Sequence, residues 1–352
     1  MPRKSNIELA RIVAFVFVVA LHSVGWYLHV NTSVGDVNWI PTNAVTTVGI
    51  SSVGIFMLIS GYFYDSAKLR LRKLLGPIAF YLPFYYLYRV FAVYGGNNWL
   101  SPARDLLTFL PKNGDMLGHL WYVQCLVVVM VFAAPLRAAI DGLERRAHLL
   151  AAGAMLLFFS ILPTVNYALD MGVFQYGLYS NELSTFVMMY FIGAYIRKYP
   201  VGLSARTLGI IAVSAAILAV AVTTAYCYRI SPLIFIHPDR SYPFDKYANP
   251  FVDSRNLLTV VQSVTAFAFL TKLDIKSAFV NRIAALTYGG YVVHIFYVYL
   301  AMLLLSDWGI NPPLFPLVLV KTAFGLTASL ATEALRLSLA RLIRRRVPES
   351  AS

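Results

Sequence analysis

Three ionisable residues stand where lipid is expected. Glu8, Arg11 and His22 lie in the otherwise apolar stretch NIELARIVAFVFVVALHS, from Asn6 to Ser23. An ionisable side chain in a bilayer costs several kcal/mol unless it faces protein or water, so each is a candidate for function. Arg11 and His22 are eleven residues apart, within about 20° of three full helical turns, so they share a face at an axial separation of roughly 16 Å. Glu8 is three residues before Arg11 and can pair with it. Histidine is the side chain most readily poised as a base or acyl acceptor near neutral pH. An acyl-CoA, with its phosphate-rich head and long pantetheine arm, fits a basic mouth at Arg11 and a reacting group at His22. Spacing alone leaves a second reading open, in which Arg11 snorkels to the headgroups and His22 satisfies a neighbouring carbonyl.

A second basic group, Lys68, Arg70, Arg72 and Lys73, places four cations within six residues. It suits a phosphate site, or topology-setting charge in contact with anionic lipid. Among the other intramembrane candidates, His294 falls near a midplane. Glu333 and Arg336 are spaced to pair. Arg89 and Lys321 lie near the ends of apolar runs, where snorkelling is expected. Cys125 and Cys227 lie in separate apolar runs and are expected to be unbridged thiols.

The elements that must position these groups are read from composition. The 352 residues are 59 % hydrophobic and 13 % charged, with mean hydropathy +0.67. That excludes an ordinary water-soluble enzyme, a disordered chain and a disulfide scaffold. The net charge of +13 is carried between apolar runs, which points to loops on one face of a bilayer rather than to nucleic acid. A span needs roughly 20 apolar residues. Ten candidates follow, at about 7–30, 44–64, 74–95, 118–138, 147–167, 183–199, 207–228, 257–271, 283–305 and 314–340. With the N-terminus inside, the inner segments hold 19 Lys and Arg and the outer segments 6, so both termini are expected to be cytoplasmic. The fold expected is an all-α polytopic membrane protein of about ten transmembrane helices. A single domain would fill residues 1–346, with a short tail at 347–352. The first span, without a convincing cleavage site, is read as a retained helix. The segment 229–256 is either a substrate lid or a plain connector.

Taken together, the residues resemble the acyltransferase 3 family of bacterial membrane O-acyltransferases. The first span carries an acid, Arg three later and His eleven after that, as Glu8, Arg11 and His22; the family more often has Asp at the first position. The second ends GIFMLISGYFYD, from Gly54 to Asp65, with the family's Ser-Gly at Ser60 and Gly61. The basic group Lys68 to Lys73 follows. Then come His119, Leu120, Trp121 and Tyr122, as in the stand-alone, acetyltransferase-like branch, and later Tyr288, Gly289, Tyr291 and His294.

The resemblance implies transfer of an acyl group, most often acetyl, from cytosolic acetyl-CoA or another acyl-CoA to a hydroxyl of a cell-envelope glycan or lipid-linked glycan, at the bacterial inner membrane. It implies His22 as base or transient acyl carrier, supported by Arg11 and Glu8. Lys68, Arg70, Arg72 and Lys73 would bind donor phosphates. His119, Trp121, Tyr122 and His294 would meet the acceptor. No metal and no nucleic-acid partner are expected. The competing reading is a transporter or flippase for a lipid-linked sugar or small solute. It fits the spans and buried charges equally, but no internal repeat or interrupted helix pair supports it.

Overall fold

The computed structural model describes residues 4–24, 37–66, 71–93, 99–101, 118–168, 180–236, 252–310 and 313–346. Within them the chain is helical: α1 (Ser5–Val24), α2 (Trp39–Gly49), α3 (Ser51–Tyr62), α4 (Leu71–Tyr88), α5 (Trp121–Val131), α6 (Ala133–Gly142), α7 (Arg145–Leu156), α8 (Leu162–Ala168), α9 (Glu182–Lys198), α10 (Ala205–Ile236), α11 (Leu257–Thr271), α12 (Ala278–Ala284), α13 (Thr287–Asp307) and α14 (Leu314–Arg346). Lys68, Arg70, the tail 347–352 and residues 237–251 of the 229–256 segment lie outside the described residues.

In their described residues the ten expected spans fall mainly on helix, but among the described residues fewer helices have the length and apolarity to cross a membrane. Six do: Ser5–Val24, Trp39–Tyr62, Arg145–Asn166, Ala205–Arg229, Thr287–Asp307 and Leu314–Leu342. A further pair of helices, Gly118–Val131 and Ala133–Gly142, is apolar enough when taken together but bends by 64° at its junction, as a broken span or a re-entrant loop does. The others are shorter or more polar. Helix α11 has 15 residues and α9 has 17. Helix α4 has 18, with Arg72 and Lys73 in its first turn and prolines at 77 and 83. Proline removes a backbone donor and strips the carbonyl four residues earlier of its partner, which marks α4 as an irregular helix; it runs on into a π-turn at Arg89–Val93.

Burial sorts the helices. Helix α1 packs against α2, α3 and α11 to α14. It contributes Ile7, Ala10, Ala14, Phe15, Val18 and Val19 to the core. Helix α9 is equally central, with Phe186, Met188, Met189 and Tyr190 fully buried. By contrast, the apolar windows of α7–α8 and α10 are only 22 % and 17 % buried, and display residues such as Leu150, Phe158, Val213 and Ile217. A large apolar surface of this kind suits lipid, not water.

Helices α3 and α9 approach backbone to backbone. Gly61 lies on the Tyr190 carbonyl, and Gly193 lies reciprocally on that of Leu58, so a β-carbon at either position would meet backbone oxygen. Small residues allow such approach where lipid offers no hydrophobic drive for helix association.

Candidate active site

At the N-terminal end of α1, Glu8 is 5 % exposed. Its carboxylate accepts from Arg11 Nη1 at 3.0 Å to both oxygens. The i,i+3 spacing brings the two groups together on one face, and the cation compensates the charge of the buried carboxylate. The rest of the guanidinium lies 5.6 Å from the Phe63 ring. It also lines a cavity of about 340 Å³ with Phe56, Ser60, Phe63, Tyr122, Tyr288 and Tyr291 among its other walls. Small-molecule sites span about 300–1,000 Å³, so this recess can take a slender arm rather than a whole dinucleotide.

More cations surround this end of the fold. Lys4 and Arg197 each sit 5.4 Å from the Tyr62 ring, and Arg197 pairs with Asp65 at 3.8 Å. Arg72 and Lys73 are exposed, and Leu74 next to them accepts a 2.8 Å bond from the hydroxyl of Tyr288, a wall of the cavity. The exposed basic turn is thereby tied to the recess. Tyr64 braces the rim through a 3.0 Å bond to Asp141; burial and then that carboxylate hold its hydroxyl above the ordinary tyrosine range.

Beyond Tyr291 three histidines from distant parts of the chain converge. His22 comes from the last turn of α1, His119 from the 3₁₀ turn Gly118–Leu120, and His294 from α13. Ring centroids are 5.0 Å apart for His22 and His294, 5.2 Å for His119 and His294, and 6.2 Å for His22 and His119. His294 Nε2 lies 3.0 Å from His22 Nδ1. His119 Nε2 donates to the Val292 carbonyl at 3.2 Å, and Tyr85 donates to the same oxygen. The histidine nitrogens named here therefore face carbonyls or one another and do not aim at a common point. Among the described residues no group of three His, Cys, Asp or Glu is disposed to hold a metal.

Tyr291 is the partition. It lines the cavity, its ring lies 5.5 Å from His119 and 5.6 Å from His294, and its hydroxyl donates to the His119 carbonyl. Behind the same segment of α13, the Glu333 carboxylate is 2 % exposed. It accepts two 2.6 Å bonds from Arg336 and one of 2.9 Å from Tyr81. Gly289 makes the room, since a β-carbon there would overlap the carboxylate.

The profile of the acyltransferase 3 family, described as an acyltransferase domain, matches residues 4–333. The chain belongs to that family. Membership together with the long apolar helices makes it a multi-pass membrane protein. Neither the curated proteins nor the solved structures give a significant match.

The acyltransferase 3 match runs from Lys4 to Glu333 and so takes in the whole arrangement. Of the residues singled out by sequence, His22, His119 and His294 are brought together. Arg11, Glu8 and Tyr122 belong to the cavity end. Tyr122 is buried, its ring 5.5 Å from that of Phe186, and His119 is 7 % exposed, so both are enclosed by protein. Trp121 is partly buried and is not among the cavity walls. Lys321, where snorkelling was the expectation, is only 3 % exposed and is enclosed by protein. Cys125 and Cys227 are free thiols. Sequence reasoning passed over Phe56, Phe63, Thr287 and the partition role of Tyr291. The signals for Tyr291 are its place in the motif from Tyr288 to His294 and its position three residues before His294, on the same helical face.

Proposed function

We propose that this acyltransferase moves an acyl group, acetyl in the first instance, from cytosolic acyl-CoA to a hydroxyl of a cell-envelope glycan in the bacterial inner membrane. The observation that carries the reading is the succession along α1 of a basic recess at Arg11 and a histidine cluster at His22, divided by Tyr291, in a chain of an acyltransferase family. The phosphates of the donor would meet Arg72 and Lys73, with Lys68 and Arg70 from the preceding segment. The pantetheine arm would occupy the recess past Arg11. The thioester would then reach His22 by displacing the Tyr291 ring.

In direct transfer, His22 takes the acceptor's hydroxyl proton. The oxygen attacks the thioester carbonyl, the C–S bond breaks, and the proton passes from His22 to the departing thiolate. In stepwise transfer the His22 nitrogen attacks the thioester carbonyl first, the C–S bond breaks and the CoA thiolate departs; the acceptor hydroxyl oxygen then attacks the acyl carbon, the N–acyl bond breaks, and the hydroxyl proton goes to the thiolate. Both routes return the histidine unchanged. Nothing in the recess or the family match favours the transporter reading.

Donor binding tests the proposal. Acetyl-CoA at 100 times its dissociation constant should stabilise the detergent-solubilised protein by about 2.7 kcal/mol, and Arg11→Ala should require more ligand for the same effect. No stabilisation by acetyl-CoA or by longer acyl-CoAs would contradict it.

A further inference from the structure

His294 was expected to meet the acceptor, yet it has no nitrogen left for one. It is fully buried. Its Nδ1 lies 2.6 Å from the Tyr291 carbonyl, and its Nε2 lies 3.0 Å from His22 Nδ1. A carbonyl only accepts, so Nδ1 of His294 carries the hydrogen, and a neutral ring then presents a lone pair at Nε2. The partner atom, His22 Nδ1, is also 2.9 Å from the Val18 carbonyl. Both neighbours of that atom are acceptors, so Nδ1 of His22 carries the hydrogen, and the neutral ring is then bare at Nε2. Phe15, whose ring meets that of His294 edge-on at 6.4 Å, and the stacked Tyr291 ring hold His294 in place.

We infer that His294 is a positioning residue that fixes the tautomer of His22, so that Nε2 is the nitrogen that takes the acceptor proton or the acyl group. The inference rests on the acyl-transfer reading for its consequence but not for its geometry. When His22 becomes cationic during proton transfer, its Nδ1–H still has His294 Nε2 to donate to, and the imidazolium is stabilised where it forms. The orientation and tautomer of a catalytic histidine are commonly set in this way by the partner of its second nitrogen. Here that partner is a second histidine held by its own helix carbonyl.

The test has two arms. In the first, ¹⁵N-histidine-labelled wild-type protein in detergent is compared with His22→Ala to assign the His22 signals. A protonated Nδ1 and bare Nε2 are expected for His22, and a protonated Nε2 would overturn the inference whether or not the protein turns over. The second arm compares His294→Gln, His294→Asn and His294→Leu. The glutamine amide oxygen can reach the place of Nε2 and accept from His22, whereas asparagine can replace only Nδ1. His294→Gln should keep kcat within about tenfold. The other two should lose roughly 10²–10⁴-fold in kcat, with donor KM little changed and the His22 signals shifted to mixed tautomers. Equal kcat in all three, or an unaltered His22 spectrum in His294→Leu, would overturn it.

Discussion

The hydroxyl of Tyr291 donates to the backbone carbonyl of His119, joining two residues 172 positions apart in the chain. This bond holds the ring between the recess beside Arg11 and the histidine cluster. It also fixes the 3₁₀ turn that delivers His119. Tyr291→Phe keeps the ring and removes the tether. The variant should lose about 1 kcal/mol of stability, measured by thermal unfolding in detergent. With the partition loosened, acceptor-independent hydrolysis of acyl-CoA should rise relative to transfer. An unchanged ratio of hydrolysis to transfer would show that Tyr291 does not separate the two compartments.

The pair Glu8–Arg11 should behave differently when broken from either side. Arg11→Ala leaves a buried carboxylate uncompensated and removes a charged donor from the recess. Expected losses are roughly 10- to 100-fold in kcat/KM, as for a charge-assisted bond of about 1.5–3 kcal/mol. Adding Glu8→Gln to Arg11→Ala should restore much of the stability and none of the activity. Recovery of activity in the double variant would make Arg11 a structural partner of Glu8 alone.

Charge at Arg72 and Lys73 is exposed, so its contribution should be electrostatic and screened. Replacing both with alanine should raise the KM for acyl-CoA and leave kcat near wild type. The difference from wild type should shrink as salt rises. A fall in kcat with unchanged KM would rule out a role in holding donor phosphates.

Glycine substitutions separate close packing from lipid-facing surface. Gly61→Ala and Gly193→Ala put a methyl group onto the backbone oxygens of Tyr190 and Leu58. Each should cost about 1–3 kcal/mol. Gly153 on α7 has nothing within 4 Å of its would-be β-carbon. Gly153→Ala should therefore be neutral or stabilise by about 0.5–1 kcal/mol through helix propensity. Thermal unfolding of the three variants side by side decides it.

Helical content was legible because a continuous apolar run in a membrane has few structural options. The α11 segment coincides with its expectation at 257–271. The 64° break after Val131 has a signal that the span count passed over: Pro135 lacks the N–H that would bond the Val131 carbonyl four residues earlier. Local pairing, as in Glu8–Arg11 and Glu333–Arg336, follows from i,i+3 spacing and is present. The meeting of His22 with His119 and His294 depends on how α1, α13 and the 3₁₀ turn pack, which no local spacing encodes. For the same reason Lys321 reads as a snorkelling residue in sequence and is enclosed in the fold.

Acyl transfer turns on His22. The decisive measurement is turnover of radiolabelled acetyl-CoA by the purified protein, comparing wild type with His22→Ala at matched folding and matched acetyl-CoA binding. Slow wild-type release of acetate or acetylated product, reduced to background in His22→Ala while donor binding persists, is the predicted result. Equal turnover in the two proteins would contradict the account.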